Sequence, residues 1–191
     1  MDTTSASLLD RLRQPGPAVL DWHRLHEIYA PWIRRQLVQA SVPADEADDL
    51  LQEVFTVVFR KLPGFDRWRD GSFRAWLRQL TVNQVRNWRR GSGGRPIPTA
   101  DADFLARLED PRSALARQWD ADHDAFVFAR LVEVVRPDFE SATWAAFRGF
   151  ALDGRPVAEV AAECGLSEAS VLQAKSRVCK RMREEAGGLL D

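Results

Sequence analysis

Between Phe65 and Arg90, aromatic side chains alternate with arginines: Phe65, Trp68, Phe73, Trp76 and Trp88 are interleaved with Arg67, Arg69, Arg74, Arg78, Arg86, Arg89 and Arg90. Flat rings that stack or wedge against bases, set among cations that follow a phosphate backbone, suit a single-stranded nucleic acid. Asn83 and Asn87, one helical turn apart, add amides able to bond base edges. Trp76 sits with Leu77 and Leu80 and reads as core, whereas Phe65 and Trp68 fit core and stacking equally well.

Charge is segregated along the chain. Asp45, Glu46, Asp48, Asp49 and Glu53 form an acidic cluster with no basic residue among them. Arg86, Arg89, Arg90 and Arg95 follow in a stretch free of acids, and Lys175, Arg177, Lys180, Arg181 and Arg183 lie near the C-terminus. The net charge of −1 hides this separation. Such a chain offers one surface to a basic protein groove and two others to phosphates.

Residue types suited to covalent or metal chemistry are sparse. His23 and His26, three apart, supply half a metal site that no cysteine or carboxylate completes at recognisable spacing, and with His123 they read as surface or boundary residues. Cys164 and Cys179 form no CxxC pair and read as reduced, partly buried thiols. There is no Walker loop, GxSxG or GxGxxG. An enzyme, a cofactor and a metal are therefore not expected.

The elements that position these residues read as helices. With 191 residues, 45% hydrophobic and 29% charged, the chain suffices for one ordinary domain or two small ones. No apolar run approaches the ~20 residues that span a bilayer, and the start lacks the features of a secretory signal, so a cytoplasmic location is expected. Helical periodicity predicts segments at about 4–13, 19–40, 44–62, 72–90, 112–136 and 139–152, with Pro31 expected to kink or divide the second. Leu50, Leu51, Val54, Phe55, Val58 and Phe59 form the expected apolar face of 44–62. Ser72 is a candidate N-cap, and one further turn is expected around 104–108. Gly91-Ser92-Gly93-Gly94-Arg95-Pro96-Ile97-Pro98 is the strongest break and the natural domain boundary.

Residues 156–181 fit a helix-turn-helix. Val157, Val160 and Ala161 pack inward, small Ala158 and Ala162 permit close approach, and Gly165 takes a positive φ. Leu166 fills the angle, Ser167 caps the second helix, and Val171 and Val178 face the core. The other face carries Gln173, Lys175, Ser176, Arg177 and Lys180, residues able to read base edges or neutralise phosphate in a major groove.

These residues carry a resemblance over nearly the whole chain. Ala44-Asp45-Glu46-Ala47-Asp48-Asp49-Leu50-Leu51-Gln52-Glu53-Val54-Phe55 resembles region 2.2 of the extracytoplasmic-function (ECF) group of the sigma-70 family. Gly71-Ser72-Phe73-Arg74-Ala75-Trp76-Leu77, with Asn83 and Arg89-Arg90, is similar to regions 2.3 and 2.4, and Leu152 through Arg183 resembles region 4. The resemblance implies an all-α fold of two small helical domains: region 2 over 1–90, a flexible linker over 91–111, and region 4 over 112–191.

As function, the resemblance implies a transcription initiation factor that does no covalent chemistry itself. Core RNA polymerase would be bound at the β′ clamp helices through Asp48, Asp49, Gln52 and Glu53, and also at the β flap. The −10 element would meet Phe65, Arg67, Trp68, Arg69, Ser72, Asn83, Asn87, Arg89 and Arg90, with a flipped base in the loop. The −35 duplex would meet Gln173, Lys175, Ser176, Arg177 and Lys180. An anti-sigma factor or other regulator is a further candidate partner, and membrane insertion is not expected. The chain departs from the family where Leu172 and Ala174 stand at places that in many members hold arginine or lysine. The alternative, an ordinary helix-turn-helix regulator not bound to core polymerase, leaves the acidic cluster unexplained.

Overall fold

The computed structural model describes residues 7–66, 72–91, 99–187 and 189. Among them the fold is all helical, without a β-strand: α1 Leu8–Arg13, α2 Val19–Gln39, α3 Ala44–Lys61, α4 Phe73–Gly91, α5 Thr99–Glu109, α6 Ala114–Val135, α7 Ser141–Phe147, α8 Val157–Cys164 and α9 Glu168–Ala186. Contacts divide the chain into two compact units, 8–128 and 129–187, with Leu189 counted in the first and Ser7 in the second. The division falls within α6, later than the Gly/Pro-rich break at 91–98.

In the first unit α2 buries Leu25, Ile28, Tyr29, Trp32, Ile33, Gln36 and Leu37, the three-and-four spacing of a helix with one face in a core. Pro31 does not break it; the helix continues from Val19 to Gln39. Pro31 lacks an N–H to donate but is exposed, as is Glu27 one turn earlier, and the buried rows on either side hold the helix together. Ser41 ends it at φ +62°, with the Val42 N–H donating to the Leu37 carbonyl at 3.1 Å. Pro43 then starts α3, whose first turn is acidic and last turn basic, as the helix dipole favours.

Ser72 caps α4, its Oγ accepting from the Ala75 N–H at 3.2 Å. Phe65, Phe73 and Trp76 meet with centroids 5.3–5.9 Å apart, and the Tyr29 ring stands edge-on to Phe73. α5 extends over eleven residues where one turn was expected, because Leu105 and Leu108 find a core to enter. The first half of α6 buries Ala116, Trp119, His123 and Val127, with Trp119 and Phe126 packed on the Trp32 ring.

In the second unit α7 continues through one π turn, Arg148–Leu152. Ala146, Val160, Ala161, Val171 and Ala174 form its core beside Phe150, Val157, Cys164 and Leu166. Gly149 admits α8 closely: a Cβ there would lie 3.1 Å from Val160. Gly165 takes φ +65° and ends α8, and the Ser167 side chain accepts from the Ser170 N–H. The small residues that permit close packing are Ala146 and Ala174; Ala158 and Ala162 are exposed.

Candidate protein and nucleic-acid interfaces

The acidic residues of α3 are sorted by helical position. Its buried side is Ala47, Leu50, Leu51, Val54 and Val58, so Asp45, Asp48, Asp49, Gln52 and Glu53 stand exposed opposite it. Asp48 accepts from Arg34 Nε at 2.7 Å, an exposed pair worth little to stability. Glu46 serves the fold instead, accepting from Trp88 Nε1 at 2.7 Å. Phe59, expected in the core, is 59% exposed. With Trp22, His23, His26 and Phe55 it lines a cavity of about 360 Å³ beside the acidic face. The i,i+4 pair Phe55–Phe59 was the available sequence signal, but its period fits a core stripe equally well.

Along α4, Asn83, Asn87 and Arg90 are exposed and lie on successive turns. Arg90 donates to the Asn87 side chain, and Gln79 to Asn83 at 3.4 Å. Phe65 is buried in the aromatic cluster at 4% exposure, and Ser72 is engaged as a cap. Arg89 is also buried, donating to the Ala40 carbonyl at 2.6 Å; it ties α4 to the end of α2 instead of facing solvent. Arg67, Trp68 and Arg69 lie outside the described residues.

The remaining arginines of the interleaved pattern meet carboxylates from later in the chain. Arg74 pairs with Asp124 at 2.6 Å and Asp120 at 3.5 Å, Arg78 also with Asp120, and Arg86 Nη2 with Glu109 at 2.7 Å. These acids lie 23 to 50 residues away in sequence, which hid the pairings. His123, expected at a surface or boundary, is fully buried. Its Nδ1 faces Asp124 at 3.0 Å and its Nε2 the Tyr29 hydroxyl at 3.2 Å, with Trp119 stacked on the ring. Burial pulls its pKa below the ordinary value against the opposing pull of Asp124. His23 and His26 are exposed, and no group of three metal-ligating side chains occurs among the described residues.

On α9 the buried row is Val171, Ala174, Val178, Met182 and Glu185, and Gln173, Lys175, Ser176, Arg177 and Lys180 are all exposed. Lys175 Nζ lies 5.4 Å from the Phe150 ring centre, and Arg177 touches Thr143 Oγ1 at 3.5 Å. Arg181 is engaged internally, bonding Asp138 at 2.8 Å and the fully buried Glu185 at 2.8 Å. Arg155 is held by Glu163 and Glu159, which raise its pKa.

Residues 25–95 match the family model described as Sigma-70 region 2. Over 69 residues the chain is 36% identical to the ECF RNA polymerase sigma-E factor of Escherichia coli K12, which covers 36% of this chain and 35% of that protein. The segment 25–95 is thus similar to region 2 of the sigma-70 family. The chain is also 28% identical, over 140 residues, to the Xanthomonas campestris pv. campestris protein named "Probable RNA polymerase sigma factor RfaY", covering 73% of this chain and 34% of that one. The sigma-E factor of Salmonella typhimurium LT2 is 36% identical over 69 residues, or 36% of this chain and 35% of that protein. The chain thus spans about a third of the length of these curated relatives. No solved structure matches it.

The region 2 match takes in the core of α2, all of α3 with its acidic face, and all of α4. It ends at residue 95, so the reading of α8 and α9 rests on their own geometry. No helix among the described residues is long and apolar enough to cross a membrane.

Proposed function

We propose that the chain is an ECF-type RNA polymerase sigma factor, which binds core RNA polymerase and directs promoter-specific transcription initiation. The observation that carries this reading is the acidic face of α3, exposed inside the segment that matches region 2. Asp48, Asp49, Gln52 and Glu53 dock on a basic surface of the polymerase, the β′ clamp helices by family resemblance, and the β flap receives the C-terminal part. A helix needs no such concentration of exposed acid for folding, and the apolar side of α3 already supplies its packing.

The nucleic-acid roles follow from the exposed side chains. Asn83, Asn87 and Arg90 offer amides and a cation to the −10 strand, with Arg67, Trp68 and Arg69 in the same role and Phe65 and Ser72 shaping the loop. Arg89 contributes by fixing α4. Gln173, Lys175, Ser176, Arg177 and Lys180 meet the −35 duplex. In functional terms residues 1–90 act as region 2 and 112–191 as region 4, with 91–111 between them. An anti-sigma factor or other regulator is a candidate partner, and the factor works in the cytoplasm, where the polymerase is.

Run-off transcription with purified core enzyme, followed by start-site mapping on genomic templates, tests the reading. Initiation at discrete sites only in the presence of the chain supports it. Transcription that is unchanged by adding the chain overturns it.

A further inference from the structure

The reading face of α9 has an unusual composition for a helix that would meet DNA. At about 100° per residue, Ala169, Leu172, Gln173 and Ser176 fall on one stripe, opposite the buried row of Val171, Ala174 and Val178. None of the four carries a charge, while Lys175 and Arg177 flank them on either side. From Ala169 to Arg183 the helix contains no acid. Leu172 is 49% exposed and stands off the apolar core that its neighbours Val171 and Ala174 enter. A single exposed leucine is ordinary. This one projects between two short side chains, Ala169 and Ser176, on the half of the second helix that enters a major groove.

We infer that Leu172 is a specificity-determining residue that meets the 5-methyl group of a thymine in the upstream promoter element, with Gln173 reading an adjacent adenine. The inference rests on the proposed role of α8 and α9 as a duplex-binding helix-turn-helix. In the major groove thymine alone presents an apolar group, and glutamine matches the N6/N7 edge of adenine. The flanking cations have phosphates within their natural reach on both walls of the groove, which leaves the uncharged stripe over the base edges. The upstream element is accordingly A·T-containing at two neighbouring positions.

The test uses the full chain bound to core RNA polymerase and a duplex library randomised over the upstream element. Wild type selects thymine beside adenine. Replacing each selected thymine by deoxyuridine, which removes only the methyl, lowers binding about fourfold at one position, the effect of exposing one methyl-sized apolar group. Leu172→Ala binds thymine and deoxyuridine equally there, and Leu172→Arg shifts the selection toward guanine at that position. Leu172 is exposed, so unchanged melting of both variants is expected and separates reading from folding. Deoxyuridine sensitivity that persists in Leu172→Ala, or an unaltered selection by Leu172→Arg, overturns the inference alone. If wild-type holoenzyme selects no upstream sequence at all, the duplex-binding reading beneath it fails as well.

Discussion

Lys175, Arg177 and Lys180 are exposed cations on α9 without an acid partner in their own helix, whereas Arg155 and Arg181 are held by carboxylates. That contrast fixes how duplex binding should respond to salt. Each phosphate neutralised by a lysine or arginine contributes about −0.9 to the slope of log affinity against log salt. Replacing all three by alanine should therefore flatten the slope by about 2.7. Between about 50 and 200 mM salt, wild type should lose roughly 40-fold more affinity than the triple variant. The assay is fluorescence anisotropy of a labelled duplex titrated with the full chain at several salt concentrations. Arg155→Ala should leave the slope unchanged, because its guanidinium is already engaged by Glu159 and Glu163. Arg181→Ala should also leave the slope unchanged but destabilise the second unit, since the buried Glu185 loses its bond to Arg181. A triple variant that remains folded and keeps the wild-type slope excludes these three residues from the phosphate contacts, and an equal change from Arg155→Ala excludes the distinction between them and Arg155.

Two further predictions concern the first unit. Trp119→Ala removes a buried ring lying against Trp32 and His123 and should cost about 3–5 kcal/mol in denaturant unfolding; a loss below about 1 kcal/mol means that α6 contributes little to this core. Because the folded His123 pKa is depressed, its contribution to stability is fully present above the unfolded value near 6.5 and is lost as pH falls through the folded value. Asp120, Asp124, Arg74 and Tyr29 surround this imidazole. Wild type should lose stability across that window by at most about 1.4 kcal/mol per pH unit from this group, and His123→Asn should show a shallower dependence. Parallel curves for the two proteins contradict the assignment.

The helices and the turn of the helix-turn-helix were legible because their determinants are local. Three-and-four apolar spacing marks α2 and α3, Ser72 and Ser167 cap α4 and α9, and Gly165 supplies the left-handed turn. The exposure of Asp48, Asp49, Gln52 and Glu53, and of the five polar residues on α9, followed from the same periodicity. What the sequence hid depends on residues far apart in the chain. The pairing of Arg74, Arg78 and Arg86 with Asp124, Asp120 and Glu109 requires α5 and α6 to return to α4, which no local pattern announces. His123 is buried for the same reason, through Tyr29 and Trp32, more than ninety positions earlier. Pro31 illustrates tertiary packing overriding propensity, and Phe59 the ambiguity of an apolar residue on the rim of a core stripe.

Docking of the α3 acidic face on the polymerase is measured by titrating fluorescently labelled chain with purified core enzyme, with Asp49→Lys/Glu53→Lys as the comparison. Both positions are exposed, so the double variant should melt like wild type. Wild type should bind saturably, and charge reversal should abolish binding. No binding by wild type, or equal binding by a folded double variant, would contradict this docking.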